Sequence, residues 1–325
     1  MRIKHTKICD VIFFILTTFF VLPASYGKTT FECLNINKKI KSVTEIEFPG
    51  LLFEIREKKQ FRGYLFGSIH VGSQKIDSLP KQIPNALLRA GNFYKEADDS
   101  NLTSVRQTIQ ELFQLPQGKT IKDAINEDAQ DVLAQYLDKV HATDELKQKI
   151  LHSTPFGVVN LLATTLNSSP PETSDSLDTL IENIAEKKHL VISGLETPDD
   201  GLVGFRQMSQ DEWSNYVISY IVFFQCPVCI RNLEQLQNDF IDLVKRGKVD
   251  ELVALHRRMY STEIRVGEQQ EKMYFSRNLN MANKVSLLIK GKKKFFVSIG
   301  AIHLGGNAGV LNRLRKMGYQ VIHVF

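Results

Sequence analysis

Two histidines and two glutamates stand at matching places along this chain. His70 follows the run Tyr64-Leu65-Phe66-Gly67-Ser68-Ile69, and His303 follows Phe295-Phe296-Val297-Ser298-Ile299-Gly300-Ala301-Ile302. In each case an apolar run reaches a glycine, a histidine comes three residues later, and glycine recurs at Gly72 or at Gly305 and Gly306. Glu96 ends the short run Asn92-Phe93-Tyr94-Lys95, and Glu196 ends His189-Leu190-Val191-Ile192-Ser193-Gly194-Leu195. Imidazole nitrogens and carboxylate oxygens brought to one point suit a divalent metal ion that keeps an open position. Such an ion acidifies water and polarises a carbonyl. A carboxylate left off the metal can act as general base. Arg277, carried on a helical stretch, is placed to hold an anionic group or to meet developing negative charge.

These residues need strands to deliver them. Apolar runs are expected to form strands at Leu51 to Ile55 and Phe61 to Ile69, with the charged tract Arg56 to Lys59 as their turn. Strands are also expected before Glu96, before Glu196 and over Phe295 to Ile299, and a last one near Tyr319 to Phe325. Between them lie stretches of helical spacing: Leu79 to Ala90, residues 101–165, Leu177 to Ile184, Lys272 to Ile289, and a final helix from Val310. This alternation predicts an α/β fold with a mainly parallel central sheet, flanking helices and a large helical insertion. Ligands in such sheets bind at the carboxyl ends of the strands, where His70, Glu96, Glu196 and His303 would meet. The helical tracts, about 101–167 and 202–275, are read as insertions covering the sheet.

Plainer roles exist for each residue. A histidine at a strand end can simply hydrogen-bond a loop, and Glu196-Thr197-Pro198-Asp199 has the form of a helix start. Asp178 is expected to cap a helix. His141, His152, His189 and His256 have no partners at ligand spacing, and His323 is expected to be a satisfied structural histidine. His-Glu-x-x-His, Gly-x-Ser-x-Gly, a phosphate loop and a dinucleotide fingerprint are all missing, which argues against a helix-based zinc protease, an α/β-hydrolase and a nucleotide enzyme.

The chain has 325 residues, 43% hydrophobic and 24% charged, with a net charge of +5. That is enough for a full core. Without a long basic run interleaved with aromatics, nucleic acid is not an expected partner. Arg2, Lys4 and Lys7 precede an apolar run from Val11 to Leu22, and small residues follow at Ser25 and Gly27. This is the plan of a secretory signal peptide, residues 1–27, giving a mature single domain of residues 28–325 that is secreted or periplasmic without a further membrane span. Cys226 and Cys229 form a Cys-x-x-Cys, for which a local disulfide is the plainer reading. Cys33 pairs with one of them or stays free.

Taken together, the two Gly-x-x-His motifs, Gly194-Leu195-Glu196-Thr197, Arg277-Asn278 with Met281, Asp178 ahead of Ala185, and the Gly309 to Val321 close resemble the TraB/GumN family, whose superfamily includes the animal TIKI proteins. The resemblance covers essentially the whole mature chain. It implies a fold related to erythromycin esterase and the haem-binding ChaN proteins. It also implies a metal site on His70, His303 and Glu96, with Glu196 next in line, as in the metal-dependent TIKI proteases. The resulting expectation is an exported hydrolase using Mn, Co or Zn on a peptide or a small amide or ester substrate, with Glu196 and Arg277 as catalytic groups. The alternatives are a non-enzymatic haem- or metal-binding protein, and a metal-independent esterase of the erythromycin-esterase type.

Overall fold

In a computed structural model, residues 50–69, 79–98, 100–166, 176–260 and 264–324 are described. Strands β1 (Leu52–Glu57), β2 (Gln60–Ser68), β3 (Asn92–Ala97), β4 (Val191–Glu196), β5 (Phe295–Gly300) and β6 (Gln320–His323) form one sheet in the order β4-β3-β5-β2-β1-β6. The pairs β2–β5, β5–β3 and β3–β4 are parallel, and β1 runs antiparallel to both β2 and β6. The sheet is therefore mainly parallel, as the alternation of runs predicts, with β1 the reversed strand.

Helices follow in the order α1 (Gln82–Ala90), α2 (Leu102–Phe113), α3 (Ile121–Ala124), α4 (Glu127–Lys139), α5 (Asp144–Leu151), α6 (Pro155–Leu166) and α7 (Leu177–Lys187). After β4 come α8 (Val203–Arg206), α9 (Gln210–Phe224), α10 (Pro227–Lys245), α11 (Val249–Tyr260) and α12 (Ile264–Lys290), and α13 (Val310–Lys316) links β5 to β6. The strongest local signals are caps. Asn126 accepts from the Ala129 N–H at 3.1 Å, and Ser209 and Glu212 close a reciprocal capping box at the start of α9.

All six residues of β5 are buried, which is why its sequence is continuously apolar rather than alternating. The Phe296 ring lies 6.1 Å from both Phe66 and Phe93 and 6.5 Å from Tyr64, so this central strand knits its neighbours. β3 looks too polar for a central position, and Lys95 explains why. Its ammonium pairs with Glu182 of α7 at 2.6 Å on one face, while Glu96, next in the strand, turns to the other.

The inserted helices divide between two cores. Leu112, Leu133, Ile150 and Leu162 from the first segment and Leu202, Phe205, Val217 and Ile221 from the second close a separate apolar core. A chain of aromatic contacts runs through it, from Phe113 to Phe156 (5.4 Å), Phe205 (5.4 Å) and Trp213 (5.9 Å). Arg206 ties the two segments at the surface, pairing with Glu111 at 2.5 Å and Asp199 at 2.5 Å. Residues of α10, α11 and α12, among them Leu236, Leu252 and Met281, return to the sheet core. Both segments of the helical unit leave from the carboxyl ends of β3 and β4, so their apolar faces meet each other above that edge.

Candidate functional site

Three parallel strands end together. Glu196 is the last residue of β4, Ala97 pairs with it in register, and Glu96 is the residue before Ala97 on β3. β5 stops at Gly300, and a single turn of 3-10 helix, Ala301–His303, carries the His303 ring into the interior at 0% exposure. Helix α12 lies across this edge and contributes Arg277 and its neighbour Asn278.

Arg277 bridges the glutamates. Its Nη2 stands 2.5 Å from Glu96 Oε1 and 2.6 Å from Glu196 Oε2, and its Nε donates to Glu196 Oε2 at 2.9 Å. The second oxygen of Glu96 accepts the Gly300 backbone N–H at 2.6 Å. Glu96 thus fixes both the guanidinium and the turn from which His303 hangs. Glu196 is bound on one oxygen. Among the described residues nothing donates to its buried Oε1.

The glutamates differ in their remaining capacity. Burial raises the pKa of Glu196 above the usual carboxylate range; Arg277 opposes this and the Glu96 charge reinforces it. Burial also works against the Arg277 charge, yet the two carboxylates outweigh it and raise its pKa further, so it remains a cation. The Arg277 guanidinium thus bridges two buried carboxylates.

His303 is oriented by Asn278, whose Oδ1 lies 2.6 Å from Nδ1. An amide oxygen only accepts, so in this arrangement Nδ1–H donates to Asn278 and Nε2 is the nitrogen turned toward the glutamates. That nitrogen is 3.6 Å from Glu96 Oε1. Two donors about 2.1 Å from one tetrahedral ion stand roughly 3.4 Å apart, so this one pair has the spacing of two ligands, while among the described residues no group of three His, Cys, Asp or Glu is placed to hold an ion. The orphaned Glu196 Oε1 is the oxygen with most capacity for a ligand or proton.

His70 lies outside the described residues. Its strand is in place: Ser68, the last residue of β2, pairs with Gly300, and Ile69 accepts from the Leu177 N–H at 3.3 Å. The strand ends that deliver Glu96, Glu196 and His303 come together, and Arg277 joins them.

Contacts between distant elements add what spacing does not show. His256 is buried on α11. It is 7% exposed, its Nε2 is 3.3 Å from the Tyr274 hydroxyl, and the Tyr274 ring packs 4.9 Å from the His303 ring. The partners sit on α11 and α12, 18 residues apart in sequence, a separation at which spacing carries no signal. Asp178 does not cap α7. Ser176 does, accepting from the Thr179 N–H at 3.2 Å, while Asp178 accepts from the buried Ser298 hydroxyl at 3.3 Å. Asn278 was visible only as part of an Arg-Asn pair, and its contact with His303 is new. His323 is satisfied as expected, 3.0 Å from the Gly50 carbonyl and stacked on Phe53. Cys226 takes part in a disulfide; the side chains of Cys33 and Cys229 lie outside the described residues.

The TraB/PrgY/gumN family model matches residues 51–323, from the start of β1 to the end of β6. The chain belongs to the TraB/PrgY/gumN family. The match spans the whole sheet and both segments of the helical unit, so this constellation lies within the family region. Neither a curated protein nor a solved structure matches the chain, and the kinship to erythromycin esterase and ChaN stays an expectation from resemblance.

Proposed function

We propose that this TraB/PrgY/gumN member is an exported, metal-dependent hydrolase acting on a peptide or a small amide or ester. The observation that carries the reading is the convergence of Glu96, Glu196 and His303 at one strand edge around Arg277. His303 and Glu96, with His70 from the neighbouring strand, would hold a divalent ion such as Mn, Co or Zn. When bound, that ion supplies Lewis acidity toward water and a substrate carbonyl.

The other roles belong to the protein. Asn278 keeps the proton on His303 Nδ1 and so leaves Nε2 as the donor. Glu96 holds the Gly300 turn and Arg277. Glu196, whose Oε1 has no donor among the described residues and whose pKa is raised, takes a proton from the attacking water and returns it to the leaving group. Arg277 faces the charge that develops on the carbonyl oxygen. The disulfide at Cys226 supports an oxidising compartment, as does the leader-like segment of residues 1–27.

A second reading is favoured by the His303 geometry alone. An imidazole with Nδ1 held by a fixed acceptor is also a competent general base without metal. Hydrolysis of peptide or ester probes by purified mature protein, before and after chelation, separates the two. Loss on chelation with recovery on Mn, Co or Zn supports the metal-dependent reading. Activity that survives chelation and vanishes in His303→Ala supports the second.

A further inference from the structure

The edge of the sheet opposite the candidate site is strongly basic. Helices α1, α7, α12 and α13 directly precede β3, β4, β5 and β6, so their carboxyl ends gather where these strands begin. The β1–β2 turn, which precedes β2, lies at the same edge. That turn exposes Lys58 and Lys59. α7 runs out into exposed Lys187 and Lys188. α12 ends at Lys290 and continues into Lys292, Lys293 and Lys294, all exposed. α13 adds Arg315 and Lys316. No ion pair among the described residues engages any of these cations. Of the nearby acids, Glu57 is taken by Arg62 at 2.7 Å, leaving Glu186 exposed.

Helix dipoles account for part of this, since cations favour the last turn of a helix. They do not account for Lys58, Lys59 or the Lys292 to Lys294 run. Backbone strain marks the same places. Lys58, Lys59, His189 and Lys292 have φ of 48°, 66°, 53° and 58°, a region that favours glycine or asparagine. Gly91 and Gly318 fill the comparable turns after α1 and α13. Basic side chains therefore occupy turns where a glycine would cost less.

Apolar side chains project among them. Val191 and Leu287 are each 64% exposed, Leu88 43% and Met317 40%, and all four lie at this edge or in the last turn of the helices that reach it. We propose that this edge docks on an anionic lipid surface, the lysines meeting headgroup phosphates while Val191, Leu287 and Met317 enter the interface. Nucleic acid fits less well: the exposed large apolar residues described include no aromatic for stacking, and phosphate contacts alone give the aliphatic ones no role. The attachment is peripheral, since no described helix is long and apolar enough to cross a membrane. It turns the carboxyl edge, with Glu196 and His303, away from the bilayer.

Flotation of purified mature protein with phosphatidylglycerol-containing vesicles, beside pure phosphatidylcholine vesicles, tests this. Binding is expected with the anionic vesicles at low salt and is lost as salt rises. Each surface lysine contributes roughly a fivefold factor, so the triple change Lys292→Glu, Lys293→Glu, Lys294→Glu should weaken binding by about a hundredfold or more. Leu287→Ser with Met317→Ser should weaken it while the salt dependence remains. A matched triple change in the helical unit, Lys119→Glu, Lys122→Glu, Lys139→Glu, should leave binding within a few fold. Equal binding to phosphatidylcholine, no loss in the first triple variant, or equal loss in the matched one overturns the proposal. So does tighter binding to duplex DNA than to anionic vesicles, unchanged by the serine pair.

Discussion

His303 Nδ1 lies 2.6 Å from Asn278 Oδ1, and this contact decides which face of the buried imidazole is available. With Nδ1 occupied, only Nε2 can bind a cation or a proton. Asn278→Leu removes the acceptor while keeping the volume. It should cost about 1–3 kcal/mol through the orphaned Nδ1–H and weaken binding of a divalent ion about 10–100-fold. Nitrogen-15 NMR of the histidine rings checks it: one fixed tautomer at His303 in the wild type and a mixture in the variant.

Arg277 is the counterion of two carboxylates that are 4% and 2% exposed. Arg277→Met should be strongly destabilising, by about 3–5 kcal/mol near neutral pH, because it removes the guanidinium from two buried carboxylates. The loss should shrink at acidic pH, where the glutamates are protonated. Urea unfolding at two pH values measures both effects, and a pH-independent loss would contradict the role assigned to Arg277.

Glu196 supplies the sign of a pH dependence. Its pKa is raised above the ordinary 4.5, so the folded protein holds a proton that the unfolded chain releases. This contribution to stability is complete below about 4.5 and declines as pH rises toward the folded-state pKa. Glu196→Gln should flatten that decline. Denaturant titrations of wild type and variant across the acidic range would show it, and parallel curves would count against a buried proton on Glu196.

Tyr274 separates packing from hydrogen bonding. Tyr274→Phe keeps the ring 4.9 Å from His303 and loses the hydroxyl that meets His256, so the His303 ring shifts in NMR should hold. Tyr274→Leu removes the ring current and should move them. Similar spectra for all three proteins would deny that the tyrosine ring positions the imidazole.

The strand ends were legible because they combine two strong local signals: a run apolar enough for burial, and a glycine where the chain must turn. β5 with His303 has that form, while β4 carries Gly194 inside the strand, two residues before Glu196. The division of labour between the glutamates was not legible, since composition shows two carboxylates but not which oxygens are already bonded. The His256–Tyr274 contact and the tilt of Asp178 toward Ser298 arise between elements far apart in sequence, where periodicity is silent. The helical unit was legible as helices. Its shared core was not, because Phe156 and Phe205, whose rings are 5.4 Å apart, lie on either side of β4 in sequence.

The most direct measurement is thermal unfolding of the purified protein with and without Mn, Co or Zn, for wild type, His303→Ala and Glu196→Gln. A ligand that binds only the folded state raises the melting temperature as its concentration grows. The expected result is a concentration-dependent rise in wild type, no rise in His303→Ala, and a retained rise in Glu196→Gln, which keeps His303 and Glu96. No rise in wild type with any of the three ions, or an equal rise in His303→Ala, would contradict a divalent ion held at this strand edge.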